Sequence, residues 1–217
     1  MTERHDEFAA DNAVNTAAKP KILSAKKCFE GAIFSVEERQ ISLPGLAKNS
    51  SSSEETAENI VIRRQIVSHS PCVVMLVHDC KDDKYFIERE YRVGPNDFVY
   101  GLVAGLIDEN ESIETAMFRE LAEETGIEPD LTEDGCADVQ IDYVGDFYSS
   151  EGFTDELAHI AVIHLRSWHK IERKLDKDEH VDVFKVDWQT LRKTKIMSSN
   201  NFIAIQAEEI RRLKEKI

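Results

Sequence analysis

The stretch IETAMFRELAEETG, Ile113 to Gly126, constrains this chain more than any other. At about 100° per residue, Ile113, Ala116, Met117 and Leu121 form one apolar stripe of a helix. Glu120 and Glu124 fall in the middle of that stripe, and Glu123 lies at its edge. Ser112 suits the N-cap, Glu114 the first turn and Gly126 the stop. Arg119 leaves the helix on a different side, so no neighbouring cation is expected to meet the two central carboxylates. Charges about 5 Å apart repel by roughly 3 kcal/mol at an effective dielectric near 20. Burial adds several kcal/mol per ion unless each is compensated. Carboxylates at i and i+4 on one buried face are what a hard divalent cation needs. The helix therefore predicts a metal site built on Glu120 and Glu124.

The segments around this helix read as strands. CFEGAIFSVEERQISLP has the composition of a hairpin, and GLAKNSSSSEETAEN (45–59) that of an exposed loop. IVIRRQIVSH, PCVVMLVHD and KYFIEREYRVG read as three strands, the second continuously apolar and so central. Further strands are expected near 139–147 and 158–166 and in HVDVFKVDW. NNFIAIQAEEIRRLKEKI closes the chain as an amphipathic helix, apolar at Phe202, Ile210, Leu213 and Ile217. The pattern predicts an α/β domain. Residues 1–25 read as a polar arm, 26–69 as an N-terminal β region and 70–217 as the main domain.

A formal net charge of −15 argues against a nucleic-acid or anionic-membrane surface. The longest apolar run, CVVMLV, is too short to span a bilayer, and MTERHDEFAADN lacks the regions of a signal peptide. The four cysteines make no CxxC pair, which suggests reduced thiols and a cytoplasmic location; Cys28 and Cys72 sit in apolar stretches and are expected to be buried. The seven histidines make no HxxxH pattern and receive no metal role. DENESIE (108–114) and DKDEHVD (176–182) lack the glycine of an EF-hand loop.

Widened, the helix segment is GLIDENESIETAMFRELAEETGI. It resembles the Nudix box, G-x5-E-x7-R-E-U-x-E-E-x-G-U with U aliphatic, at Gly105, Glu111, Arg119, Glu120, Leu121, Glu123, Glu124, Gly126 and Ile127. REYRVGPNDFVYGLVAGLIDENES before it is similar to the ADP-ribose and ADP-sugar pyrophosphatase branch. The resemblance implies a Nudix α/β/α sandwich with a mixed β-sheet and an N-terminal β-strand extension that helps form a homodimer. It implies hydrolysis of the pyrophosphate of ADP-ribose or a related nucleoside diphosphate sugar, with Mg²⁺ or Mn²⁺. Glu120, Glu123, Glu124 and the carbonyl of Ala104 would be metal ligands. Gly105, Glu111, Arg119 and Gly126 would be structural. Glu156, in GFTDE, matches the loop base of the branch, with Glu123 a second catalytic candidate. Arg64 and Arg92 match diphosphate contacts, and Phe34 is a candidate for base stacking. Glu151 and its neighbours stand where the branch commonly has a proline, and Gly101 where a glutamate is common. Another nucleotide substrate, such as a dinucleotide polyphosphate or a nucleoside triphosphate, therefore stays open. So does a nucleotide sensor without turnover.

Overall fold

The computed structural model describes residues 19–44, 59–175 and 180–215. Most of the polar arm, all but the last residue of the 45–59 loop, the acidic run at 176–179 and Ile217 lie outside them. The described chain forms two compact units. One comprises residues up to His69 together with Gly152–Thr154, the other the remainder.

The first unit is an antiparallel sheet of β1 (Lys21–Glu30), β2 (Phe34–Leu43) and β3 (Ile60–His69), with β2 in the middle. β1 begins inside the stretch read as a polar arm, because its ladder with β2 runs back to Lys21 opposite Ser42. The Val67 N–H donates to the Phe153 carbonyl at 2.7 Å. Cys28, expected to be buried, is exposed on β1, every residue of which is exposed.

The second unit follows the order β4 (Cys72–Asp79), β5 (Lys84–Arg92), β6 (Asp97–Gly101), β7 (Val103–Leu106), α1 (Ile113–Thr125), β8 (Ile127–Pro129), β9 (Val139–Tyr148), β10 (Leu157–Leu165), β11 (Trp168–Lys170), β12 (Val181–Asp187), α2 (Trp188–Lys193) and α3 (Ser199–Lys214). A seven-stranded mixed sheet has the order β12-β5-β4-β10-β9, with β6 on β5 and β7 on β4. Its β4–β10 pair is parallel and the other pairs are antiparallel. β4 alternates between two cores, as a strand buried on both faces must. Val73, Met75 and Val77 pack with Met117 and Leu121 of α1; Val74 and Leu76 pack with Leu191 of α2 and Ala204 and Ile205 of α3. This is an α/β/α sandwich.

The closing helix is rotated from its expected phase. Phe202, Ile210 and Leu213 are exposed, while Asn201, Ala204, Ile205 and Glu208 are buried. A polar anchor decides the phase: Glu208 accepts from the Tyr85 hydroxyl and pairs with Arg211 and Arg212. Those partners satisfy the buried carboxylate, and with Glu208 turned inward Phe202, Ile210 and Leu213 face outward. Cys72 is half-buried rather than buried, being the first residue of β4. No helix among the described residues is long and apolar enough to cross a membrane.

Candidate functional site

α1 lies under β7 because the chain makes only a short loop between them. The Ser112 hydroxyl accepts from the Thr115 N–H at the N-cap, and Gly126, at φ 68°, closes the helix in the left-handed region. An added side chain at Gly126 would also approach the Ile171 carbonyl to 2.8 Å, so glycine is required twice over.

The helix buries Ala116, Met117, Leu121, Glu120 and Glu124. The two carboxylates thus lie on the packed face, as the wheel predicts. Glu124 accepts from the Ala104 N–H at 3.1 Å. Glu120 lies against Gly105, where an ideal Cβ would stand 1.9 Å from the Glu120 Cδ. Only a residue without a side chain leaves room for that carboxylate. Glu123 is partly exposed at the edge.

Arg119 departs from its expected isolation. Its backbone points elsewhere, but the long side chain curls back. Nε and Nη2 each donate to Glu111 at 2.8 Å, and Nη2 also donates to the Leu106 carbonyl at 2.8 Å. Nη1 donates to Glu120 at 2.7 Å and Glu123 at 3.1 Å. The fork holds Glu111 well below the usual carboxylate range, at about 2. Arg119 therefore joins the loop, the strand end and the helix.

A fourth acid completes the cluster. Glu88 on β5 is 3% exposed, lies close enough to Glu124 for the two carboxyls to interact, and has an Oε1 with no partner among the described residues. Burial, and for Glu124 also the charge of Glu88, pushes both carboxyls well above the ordinary range. Glu88 was not singled out in the sequence, although YFIE, an acid ending an apolar run on a strand, carries the signal. Glu88, Glu120 and Glu124 offer oxygen donors only; one cation, Arg119, reaches Glu120 from the rim, and one Glu88 oxygen is orphaned. That donor set fits a hard divalent cation.

The neighbouring strands bring Glu156 to the same end of the sheet. Cys72 pairs with Leu106 of β7 on one side and Ala158 of β10 on the other, and Glu156 stands just before β10. Burial and then the Glu156 charge push the Cys72 thiol up to about 12. Arg92, at the end of β5, is exposed and pairs with Glu90 at 2.6 Å. Arg64 and Phe34 belong to the first unit. Arg64 is exposed and donates to the Arg63 carbonyl at 2.8 Å. Phe34 is partly exposed and packs near Phe29 at 5.6 Å between ring centroids. Ala104, Gly105, Glu111, Arg119, Glu120, Glu123 and Glu124 are thus assembled on one loop–helix unit.

Comparison with known proteins bears on this arrangement. The NUDIX domain family profile matches residues 68–206. A "Methanol dehydrogenase activator" of Bacillus methanolicus is 26% identical over 190 residues, 86% of this chain and 90% of that protein. An "ADP-ribose pyrophosphatase" of Bacillus subtilis (strain 168) is 26% identical over 166 residues, 76% of this chain and 77% of that protein. The crystal structure of an ADP compounds hydrolase superposes with a TM-score of 0.66 at 19% identity, covering 92% of this chain and 98% of that one, which shows the shared fold. With the box residues assembled on β7 and α1 and the family profile spanning both cores, this chain belongs to the Nudix family of pyrophosphohydrolases.

Proposed function

We propose that the protein hydrolyses the pyrophosphate bond of ADP-ribose or a related nucleoside diphosphate sugar with Mg²⁺, releasing a nucleoside monophosphate and a sugar phosphate. The observation that carries this reading is the buried carboxylate cluster of Glu88, Glu120 and Glu124 beside the Ala104–Gly105 backbone, with one Glu88 oxygen unpartnered. The similarity to an ADP-ribose pyrophosphatase supports the substrate class.

Glu120, Glu124, Glu123 and the Ala104 carbonyl would hold the cation, with Glu88 behind Glu124. When bound, a divalent cation neutralises the diphosphate and stabilises charge developing on the attacked phosphoryl group. Arg119 and Glu111 keep Glu120 in place from the rim. Glu156 takes the proton of the attacking water or orients it. Arg92 is free to exchange its exposed pairing with Glu90 for non-bridging oxygens of the substrate, a charge-assisted contact. The resemblance further assigns substrate contact to Arg64 and Phe34. We extend the reading to a cytoplasmic homodimer formed through the N-terminal β region, whose first strand leaves Ile22, Leu23 and Phe29 exposed.

The test is product release from a panel of ADP-ribose, ADP-glucose, UDP-glucose, NADH, a diadenosine polyphosphate and nucleoside triphosphates, with and without EDTA. AMP released fastest from ADP-ribose, and only with Mg²⁺, supports the proposal. A preference for another substrate moves the substrate class; turnover that survives chelation overturns the metal assignment. Glu120→Gln should lose at least about 10²-fold in turnover while remaining folded.

A further inference from the structure

At the other end of β4, two buried histidines face each other. His78 and His164 are register partners on the parallel pair β4 and β10, and their Nδ1 atoms lie 2.9 Å apart. Each ring's other nitrogen meets a carboxylate: His78 Nε2 lies 3.0 Å from Asp83, and His164 Nε2 lies 3.2 Å from Asp142. Asp83 also accepts from the Arg212 guanidinium, and Asp142 from the Gln140 amide at 2.9 Å. Ionised carboxylates only accept, so both Nε2 atoms carry the hydrogen. Each Nδ1 then directs a lone pair at the other. Two lone pairs at that separation repel unless a cation lies between them. A proton is one such cation and a metal ion another, and a sulfur within reach of the pair favours the metal.

A sulfur ligand stands beside the pair. Cys80 Sγ lies 3.8 Å from His78 Nδ1, and all three ligand atoms fall within 4.8 Å of one another. The Cys80 N–H donates to the Leu165 carbonyl at 2.9 Å, which fixes the loop after β4 against β10. Bond lengths of about 2.0–2.1 Å to nitrogen and about 2.3 Å to sulfur place tetrahedral ligands about 3.3 and 3.6 Å apart, so small rotations of these side chains suffice. The surrounding charges are satisfied separately: Tyr85 stacks on His78, and its hydroxyl donates to Glu208, which pairs with Arg211 and Arg212. A cavity of about 280 Å³, lined by Asp142, Glu208 and Arg211 among others, adjoins the Asp142 side of the pair.

We propose that His78 Nδ1, His164 Nδ1 and the Cys80 thiolate bind a borderline-soft transition-metal ion of the zinc class. Two imidazoles and a thiolate select such an ion over the hard cations that suit the carboxylate cluster. Asp83 and Asp142 orient the rings as carboxylate–histidine–metal relays do. His78 is six residues along β4 from Cys72, about 20 Å away at 3.3 Å per residue, so the two sites are distinct. The exposed Cys80 leaves the fourth position to solvent. Such an ion clamps the end of the central parallel pair.

The experiment uses the full chain carrying Cys28→Ser and Cys136→Ser, which removes the other two exposed thiols, in saturating Mg²⁺ to fill the carboxylate site. Co²⁺ is titrated while the thiolate-to-metal charge-transfer absorption and the visible bands of tetrahedral cobalt are followed. We expect one equivalent to develop both features, and Zn²⁺ to displace it. Cys80→Ser, at an exposed position, should abolish the charge-transfer feature in a protein whose circular dichroism is unchanged. Asp142→Asn should keep the feature and weaken metal affinity about 10–100-fold. Absence of the charge-transfer feature in the parent protein, or its survival in Cys80→Ser, overturns the proposal.

Discussion

Glu120 occupies the space in which a side chain on Gly105 would begin: an ideal Cβ there lies 1.9 Å from the Glu120 carboxylate carbon. The first glycine of the box and the buried acid one helix later are therefore a single steric unit. Gly105→Ala should displace the carboxylate while leaving the core packed. A misplacement near 1 Å at a reacting centre costs about 10²-fold in rate. We expect kcat to fall by that order with little change in Tm; unaltered kcat would show that Glu120 works from another position.

Glu88 is buried behind Glu124 with one oxygen unpartnered, and burial disfavours its charged form, so its ionised carboxylate is compensated only when a cation is bound. Glu88→Gln should leave the metal-free protein no less stable than wild type. It should also raise the Mg²⁺ concentration required for half-maximal stabilisation. Thermal melts across a Mg²⁺ series measure both quantities. A metal-free variant that melts well below wild type would show that Glu88 is structural.

The Glu111–Arg119 fork makes a pH-dependent contribution to stability. The Arg119 guanidinium draws the Glu111 carboxyl down to about 2 from an ordinary 4.5. The folded value lies below the unfolded one, so the contribution is complete above about pH 4.5 and fades as pH falls toward 2. Glu111→Gln should therefore be less stable than wild type at neutral pH, and the two melting curves should converge under acid. A gap that is constant from pH 7 to 3 would rule out the ionic origin.

Glu208, fully buried, receives Tyr85 and pairs with Arg211 and Arg212. Glu208→Ala strands a buried hydroxyl and takes one of two carboxylate partners from each guanidinium, since Arg211 keeps Glu215 and Arg212 keeps Asp83. Breaking a buried pair from one side costs about 3–5 kcal/mol, and the partial exposure of both arginines points to the low end. Denaturant unfolding with an unchanged m-value measures this. A loss below about 1 kcal/mol would place the phase of α3 under the control of its apolar contacts instead.

What the sequence determined by itself lies in its local periods. The 3.6-residue repeat from Ile113 to Thr125 put Glu120 and Glu124 on the packed face, and Ser112 and Gly126 bounded the helix through backbone groups within one turn. The apolar run at Cys72–Asp79 indicated a central strand, and the spacing from Gly105 to Ile127 carried the family. Only the tertiary structure decided which contacts distant residues make. Arg119 reaches Glu120 because its long side chain is not bound to the direction of its Cα. α3 turns Phe202, Ile210 and Leu213 outward and Glu208 inward, where it accepts from Tyr85 of β5, a contact no helical period encodes. Glu88 joins Glu124 because β5, β4 and β7 share one sheet above α1. His78, Cys80 and His164 meet because β4 and β10 lie parallel in register across 86 residues of chain, a separation that no local period encodes.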